Sequence, residues 1–313
     1  MKILILGATG FLGQLVTSRL AKDGHELICL VRNYINANAQ RNVTPNVTPN
    51  VTYVQATLDD TKALLEHAGS ADFILHFAWD TTPGTSKGQP VVEAVNNLLP
   101  TFRFLEQLHT VSACPLVFVS SGGAVYDDVL DGRATEVSPL NPKSYYGASK
   151  LSVEMFLRAY AAQSDHPVVI VRPANVYGPG QRIKRQFAIV PTLMQAIRDG
   201  STFTIWGTGE ATRDYLYADD FAEFFALLTR ARHQGVNTFN VASQNSCSIN
   251  TLCELLQQIS GKSLSLARLP ERGVDLSGVD FDCSHARAEL GWHATTDLKA
   301  GLTKTWDWFV KSQ

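Results

Sequence analysis

Apolar and polar positions alternate along the first half of the chain in blocks of two kinds. Short apolar runs typical of buried strands lie at residues 2–6, 26–31, 51–54, 72–77, 115–120 and 168–172. Apolar residues with the three- and four-residue spacing of helices lie between them, near residues 11–22, 61–67, 90–109 and 145–163. Strands that alternate with helices in this way predict an α/β fold with a doubly wound parallel sheet.

The pattern becomes irregular after residue 173, where we expect loops around residues 178–186, 207–213 and 268–281. One low-complexity stretch, residues 42–52, repeats Asn-Val-Thr-Pro. Because its prolines cannot take part in regular strand pairing, we predict a surface loop before the third strand.

Composition narrows the class of protein. The 313 residues are 45% hydrophobic and 18% charged, with a formal net charge of −2, which is typical of a soluble globular protein and gives no electrostatic reason to expect nucleic-acid binding. No apolar run is long enough to insert into a membrane. A strand that starts at residue 2 leaves no room for a signal peptide, and the five scattered cysteines are typical of reduced thiols, so we expect a cytoplasmic protein.

A glycine-rich turn joins the first strand to the first helix. Its sequence is Gly7-Ala8-Thr9-Gly10-Phe11-Leu12-Gly13. Glycines at this point allow a tight turn and let backbone N–H groups and the helix N-terminus approach a pyrophosphate. The turn therefore predicts a dinucleotide site.

Tyr146 and Lys150 are four residues apart in a helical pattern, so they share one helix face. A cation at ~4 Å is worth about 4 kcal/mol at an intermediate dielectric, which would lower a tyrosine pKa from about 10 towards 7. A tyrosine with such a pKa can act as a general base. Taken alone, the same spacing is also that of a solvated helix face.

Several further segments occur along the chain, some before and some after Tyr146. They are Asp72–Ala78, Asn97–Thr101, Val117–Ser121, Arg172–Gln181, Arg213–Tyr217 and Gly291–Trp292. With these segments, nearly the whole chain resembles the extended short-chain dehydrogenases/reductases, in the branch of nucleotide-sugar epimerases, dehydratases and 4-keto reductases.

The resemblance implies two domains. Residues 1–173, with a return segment at about 214–242, would form a dinucleotide-binding Rossmann domain. Residues 174–213 and 243–313 would form a smaller α+β domain that binds the nucleotide sugar. A homodimer is also expected.

The resemblance implies roles for the catalytic residues. Tyr146 would be the general acid/base, and Lys150 would lower its pKa and bond the nicotinamide ribose. Ser121 is the nearer candidate to hydrogen-bond the substrate hydroxyl, with Ser120 as the alternative, because Gly122 stands where the family usually has serine or threonine.

The resemblance also implies the cofactor contacts. They are Gly7, Gly10, Phe11, Leu12, Gly13, Arg32, Leu58, Phe77, Ala78, Asn97, Lys150 and Pro173. Within this set we expect Asn97 to hold the active-site strands rather than to do chemistry, and we expect the nearby His76 to be a packed residue.

Cofactor choice depends on the end of the second strand. NAD-specific relatives carry an acid there, whereas this chain has Arg32, a residue type that commonly accepts a 2′-phosphate. We expect NAD, as in the epimerases, and keep NADP as the alternative because of Arg32.

On the substrate side, the resemblance assigns the diphosphate to Asn175, Arg213 and Arg272, and the sugar pocket to Tyr177. Arginine suits a diphosphate because its planar fork binds two oxygens at once. Val279 stands where hexose-restricted 4-epimerases usually carry a tyrosine, so we expect room for an N-acetyl group at C2 of the sugar.

These expectations favour a 4-epimerase that interconverts UDP-GlcNAc and UDP-GalNAc through a 4-keto intermediate. An NADPH-dependent reductase of a 4-keto-6-deoxy nucleotide sugar is the alternative that Arg32 favours. A regulatory protein that kept the fold and lost the chemistry is a third hypothesis, against which the intact Tyr146 and Lys150 argue.

Overall fold

The computed structural model describes residues 1–32, 49–111, 114–127, 132–183, 188–270 and 278–312. Its strands are β1 (Lys2–Leu6), β2 (Glu26–Val31), β3 (Val51–Gln55), β4 (Phe73–His76), β5 (Leu116–Val119), β6 (Val168–Pro173), β7 (Asn175–Tyr177), β8 (Thr202–Trp206), β9 (Thr212–Tyr217), β10 (Val236–Val241), β11 (Ser246–Ser248) and β12 (Ser265–Leu269).

The helices alternate with these strands through the first half. They are α1 (Phe11–Lys22), α2 (Thr61–Ala68), α3 (Pro90–Glu93), a π-helical turn (Ala94–Leu98), α4 (Leu99–Leu108), α5 (Gly122–Val125), α6 (Tyr145–Ser164), α7 (Ile189–Asp199), α8 (Ala218–Leu228), α9 (Ile249–Ser260), α10 (Ser284–Leu290) and α11 (Leu298–Lys311).

Seven strands form one parallel sheet in the order β10-β6-β5-β4-β1-β2-β3. Side chains of β1 alternate between two cores, Ile3 and Ile5 on one face and Leu4 and Leu6 on the other. Helices α1 and α8 cover the first face, and α2, α4 and α6 cover the second. The predicted doubly wound parallel sheet is confirmed.

Two small sheets lie outside the large one. One has the order β11-β9-β7, and the other pairs β12 with β8. Helices α7, α9 and α11 pack with these strands around a third core. The boundaries at residues 173 and 242 agree with the membership of these sheets, whereas the boundary at 214 falls inside β9, a strand of a small sheet. The division into domains stays a prediction.

The structure differs from three sequence-based expectations about where helices and strands begin and end. The helix expected over residues 90–109 is interrupted by the π-helical turn at Ala94–Leu98. Strand β9 begins at Thr212, inside an expected loop, because it pairs with β7 and β11 on its two sides. Strand β12 similarly continues to Leu269 because it pairs with β8. The predicted loop over residues 42–52 lies mostly outside the described residues.

Of the helices in the described ranges, none combines the length and the apolar character needed to cross a bilayer.

Candidate active site

The glycine turn is built for close approach of backbone to backbone. Gly7 has a φ of 84°, and a Cβ on it would lie 2.6 Å from the Ala78 backbone nitrogen. A Cβ on Gly13 would lie 2.3 Å from the Gly7 carbonyl oxygen. Both positions therefore need glycine, and the turn holds α1 tightly against the ends of β1 and β4.

The N-terminus of α1 suits a pyrophosphate. Its N-cap residue, Gly10, offers no side-chain acceptor to the first-turn N–H groups. Exposed N–H groups at the positive end of a twelve-residue helix favour a bound anion. Phe11 and Leu12, expected to contact the cofactor, lie in this first turn. The site therefore fits a dinucleotide.

Arg32 follows β2 at the edge of the same site, where its Nη1 lies 2.9 Å from Oδ1 of Asp80. The Arg32 side chain is 78% exposed. The sequence did not indicate that this arginine has an acidic partner.

The other expected cofactor residues border the strand ends. Leu58 follows β3, Phe77 and Ala78 follow β4, and Pro173 ends β6. The Phe77 ring packs on Phe225 of α8 with 5.1 Å between ring centroids. These positions agree with a cofactor across the carboxyl ends of the strands, but the individual contacts stay predictions.

Helix α6 carries the tyrosine and the lysine. Its N-cap, Ser144, accepts a hydrogen bond from the Gly147 N–H at 3.1 Å. A Cβ on Gly147 would lie 2.2 Å from the Ala124 carbonyl oxygen, so only glycine lets α6 approach α5 this closely. This contact brings Tyr146 beside the residue that precedes α5, Ser121.

The Ser121 hydroxyl faces the Tyr146 side chain closely enough to affect its ionisation. Burial raises the pKa of Tyr146 to about 12, the Ser121 hydroxyl lowers it, and the charge of Glu93 raises it. The expectation of a tyrosine pKa near 7 is therefore wrong for this structure, because desolvation of the hydroxyl outweighs the favourable interactions.

Lys150 is buried beside the tyrosine. Its Nζ donates a hydrogen bond of 2.8 Å to the Val119 carbonyl and lies 3.8 Å from the centroid of the Trp79 ring. It is 5.8 Å from the centroid of the Tyr146 ring. Burial lowers the pKa of Lys150 to about 7, while the charges of Glu93 and Glu154 raise it.

Ser120 has a different environment from Ser121. It is 2% exposed, and its hydroxyl donates a 2.5 Å hydrogen bond to Glu154. Glu154 is in turn paired with the buried Arg172 at 2.6 Å. Ser120 thus belongs to a buried polar network, and of the two serines it is Ser121 that meets Tyr146.

Gly122 stands where the family usually has serine or threonine, and the packing around it explains why this chain has glycine there. A Cβ there would lie 2.6 Å from Cε1 of Phe281 and 3.2 Å from the Arg172 carbonyl oxygen. The aromatic ring therefore takes the space that a serine side chain would need.

Glu93 and Trp79 are neighbours of the site that the sequence analysis missed. Glu93 is 1% exposed and accepts hydrogen bonds from Asn97 at 2.8 Å and Thr81 at 2.5 Å. The Asn97 Oδ1 accepts from the Asp80 N–H at 2.8 Å, in agreement with its expected role in holding strand ends. In the sequence, Glu93 stands four residues before Asn97, and this spacing could have indicated that the two side chains meet on one helix face.

His76 is buried at the end of β4, where its Nε2 is 3.4 Å from the Thr101 hydroxyl. Burial and the Lys150 charge lower the pKa of His76 to about 3. A neutral, packed imidazole agrees with the expectation from sequence.

A second group of expected residues surrounds a small cavity. Its lining consists of Gly123, Asn175, Arg213, Asp214, Gly278, Val279 and Phe281. Asn175 is positioned by a 3.0 Å hydrogen bond to the Asp214 carbonyl, and Val279 is 6% exposed. The structure thus brings Asn175, Arg213 and Val279 together near Gly123.

Two other expected substrate residues are not in that group. The Tyr177 hydroxyl donates to the Leu298 carbonyl at 3.3 Å, and its ring packs against Tyr215 and Tyr217. Tyr177 is therefore a core residue of the small sheets rather than a residue of this cavity. Arg272 lies outside the described residues.

Other proteins are similar to this chain in sequence and in fold. Residues 3–242 match the model of the NAD dependent epimerase/dehydratase family. A UDP-glucose 4-epimerase of Mycolicibacterium smegmatis is 30% identical over 312 residues, covering 99% of this chain and 98% of that protein.

Two solved structures are similar over their whole length. The UDP-glucose 4-epimerase of Thermus thermophilus, in complex with NAD, has a TM-score of 0.87 and 27% identity, covering 99% of both chains. The UDP-N-acetylglucosamine 4-epimerase of Methanobrevibacter ruminantium, in complex with UDP-N-acetylmuramic acid, has a TM-score of 0.88 and 25% identity, covering 100% of this chain and 99% of that one.

Proposed function

The chain belongs to the NAD-dependent epimerase/dehydratase family, and we propose that it is a 4-epimerase that interconverts UDP-GlcNAc and UDP-GalNAc. The observation that carries the proposal is the placement of a buried lysine beside the tyrosine on one helix, with Lys150 Nζ 5.8 Å from the centroid of the Tyr146 ring and Ser121 close enough to lower the pKa of Tyr146. This is an acid/base group held next to a hydroxyl donor and a cation, at the carboxyl end of the sheet.

These residues have complementary tasks in 4-epimerisation. Bound NAD, which the glycine turn and α1 would hold, supplies the acceptor and donor of the C4 hydride. Tyr146 takes the proton of the 4-hydroxyl and later returns it, while Ser121 orients that hydroxyl. Lys150 stabilises the phenolate electrostatically. The 4-keto sugar turns over in the pocket between the two hydride transfers.

The residues around the cavity beside Gly123 include three that the proposal assigns to the substrate, Asn175, Arg213 and Val279. Arg213 supplies a cation for the diphosphate, and Asn175 supplies an amide next to it. Val279 is the smaller side chain that leaves space beside C2 of the sugar. UDP-glucose remains a substrate that this pocket would also admit, since its C2 hydroxyl is smaller than an acetamido group.

The first experiment is to incubate the purified protein with UDP-GlcNAc, without added cofactor, and to measure formation of UDP-GalNAc. Turnover without added cofactor is expected if NAD stays bound through purification, because each catalytic cycle would regenerate it. No turnover of any UDP-hexose would count against an epimerase. Net consumption of NADPH with a 4-keto sugar would then favour the reductase alternative, which Arg32 supports.

Val279→Tyr tests the substrate class. An added ring should overlap the N-acetyl group, and overpacking typically costs about 1–3 kcal/mol, or roughly 5- to 150-fold in kcat/KM. UDP-glucose and UDP-galactose serve as the internal control because they lack that group. Equal loss on both substrate pairs would show that Val279 only supports the fold.

We also propose a cytoplasmic homodimer. Apolar side chains are exposed on α3, the π-helical turn and α6, with Val91 at 70%, Val95 at 53% and Met155 at 56% exposure. Phe102 of α4 and Phe156 of α6 stack at 4.1 Å. A second copy using this surface would bury these side chains in a two-fold contact. Light scattering of Val91→Glu and Met155→Glu should detect monomers.

A further inference from the structure

Three aromatic rings lie around the ammonium of Lys150. Its Nζ is 3.8 Å from the centroid of the Trp79 ring, 4.9 Å from that of Phe118 and 5.8 Å from that of Tyr146. All three distances are within the roughly 6 Å over which the negative face of an aromatic ring attracts a cation. The Trp79 indole is the nearest ring, and tryptophan is also the side chain that attracts cations most strongly.

The lysine needs such a contact because it is buried. Lys150 is 4% exposed, so its ammonium has lost most of its contact with water. One of its three N–H groups bonds the Val119 carbonyl at 2.8 Å, an acceptor that carries no formal charge. The acid one turn along the same helix, Glu154, is paired with Arg172 at 2.6 Å. A buried ammonium is costly unless its surroundings stabilise the charge, and the rings are close enough to do so.

The backbone on both sides of Trp79 is held by elements of the site. Before it, the Ala78 nitrogen lies so close to the glycine turn that a Cβ on Gly7 would be 2.6 Å away. After it, the Asp80 N–H donates to Oδ1 of Asn97 in the π-helical turn at 2.8 Å. These contacts fix the chain just beyond β4, at the point from which the indole reaches Lys150.

The indole also packs against the other rings. Its centroid is 5.9 Å from the Phe118 ring and 6.3 Å from the Tyr146 ring, the latter at an interplanar angle of 83°. Edge-to-face packing at such distances is favourable. Trp79 therefore contacts both members of the proposed acid/base pair, the tyrosine through an edge-to-face contact and the lysine through a ring face.

Ring packing, rather than a hydrogen bond, holds the indole in place. Trp79 Nε1 is buried and has no hydrogen-bond partner among the residues that the structure describes. A buried donor without a partner is destabilising. The contact of the indole face with Lys150 is one that an aliphatic side chain in the same space could not make.

We propose that Trp79 is a positioning residue for Lys150, and that its indole face holds the lysine ammonium beside Tyr146 by a cation–π contact. This inference rests on the proposed function, because it concerns the acid/base pair of that reaction. It assigns no contact between Trp79 and the substrate.

The sign of the effect follows from the charges around the lysine. Burial lowers the pKa of Lys150 to about 7, and Glu93 and Glu154 raise it. Burial raises the pKa of Tyr146 to about 12 and, together with the Lys150 charge, lowers that of His76 to about 3, so both are neutral at pH 7. A cation–π contact stabilises the ammonium and not the neutral amine, so its loss should lower the lysine pKa further.

The test is a titration of Lys150 by NMR of protein labelled with ¹³C at the lysine ε-carbons, with saturating NAD and without it. The Lys150 resonance is the one that Lys150→Arg removes. Trp79→Leu keeps an apolar side chain without an aromatic face, so the midpoint should fall by about half a pH unit or more. Trp79→Phe keeps a smaller ring and should give a smaller fall. An unchanged or higher midpoint in Trp79→Leu, or equal shifts in both variants, would overturn the proposal and leave the indole as a shield from water.

A second measurement keeps the shape of the side chain and decides the matter if Trp79→Leu does not fold. Tryptophan with a fully fluorinated benzene ring, inserted at position 79 by nonsense suppression, has nearly the same shape but lacks the negative potential on its face. The Lys150 midpoint should again fall. The same analogue at Trp292, which packs on Phe224, should leave the midpoint unchanged.

A wild-type midpoint with the analogue at position 79, or the same shift with the analogue at position 292, would overturn the proposal. Both measurements are independent of turnover, so an absence of epimerase activity would count against the proposed function alone.

Discussion

The Phe281 ring lies against Gly122, where an added Cβ would be only 2.6 Å from Cε1 of the ring. Gly122→Ser should therefore overpack the site and lower the free energy of unfolding by about 1–3 kcal/mol. Gly123→Ser is the control, because a Cβ there meets nothing within 4 Å. Urea unfolding of both variants checks this, and equal stabilities would contradict the packing argument.

Tyr146→Phe keeps the aromatic ring and removes the acid/base hydroxyl. Turnover of UDP-GlcNAc should fall by about 10²–10⁴, because proton transfer from the 4-hydroxyl loses its acceptor. Thermal unfolding and NAD binding should stay close to wild type. A variant that retains near wild-type turnover would remove Tyr146 from the mechanism.

Ser121→Ala and Ser120→Ala should separate chemistry from stability. Ser121→Ala removes the hydroxyl that faces Tyr146 and lowers its pKa, so kcat should fall while stability changes little. Ser120→Ala leaves the buried Glu154 without one of its donors and should cost about 1–3 kcal/mol of stability. Kinetics and urea unfolding on the same samples give the ranking. The reverse ranking in kcat would transfer the catalytic role to Ser120.

Lys150 predicts a dependence of stability on pH. Its pKa is about 7 in the folded protein against an ordinary 10.5. Below 7 the folded protein carries the full cost of burying the ammonium. Between these values the unfolded chain holds a proton that the folded protein has released, so the free energy of unfolding rises with pH.

Relative to Lys150→Met, wild-type stability should therefore increase by about 2–3 kcal/mol from about pH 6 to about pH 9. Taking the difference between the two proteins cancels the contributions of other titrating groups. A difference that is flat with pH would mean that the lysine is not desolvated. The variant should also be inactive, since the cation beside Tyr146 is gone.

Arg32→Ala tests cofactor choice. A charge-assisted contact to a 2′-phosphate is worth roughly 1.5–3 kcal/mol, so NADP(H) binding should weaken by about one to two decades while NAD(H) binding stays the same. Asp80→Asn is the complementary variant, because it releases Arg32 from its 2.9 Å ion pair and should strengthen NADP(H) binding. Unchanged NADP(H) affinity in both variants would show that Arg32 lies apart from the cofactor.

The sequence by itself determined the features that are local along the chain. The alternation of strands and helices predicted the doubly wound sheet, because a period of 2 or 3.6 residues is a property of a short segment. The glycine turn was likewise visible at Gly7 and Gly13, and the helix spacing was visible at Tyr146 and Lys150. Each of these patterns lies within about one helical turn or one βα unit, so it can be recognised in a short segment of sequence.

Only the tertiary structure decided which groups meet across the chain and how they ionise. It brought Ser121 rather than Ser120 to Tyr146, placed Phe281 in the space beside Gly122, and packed the Tyr177 ring into a core. The tyrosine pKa was misjudged because charge spacing along a helix contains no information on desolvation, which depends on burial by all surrounding elements. The same reason hid Glu93, whose burial depends on the elements that surround α3.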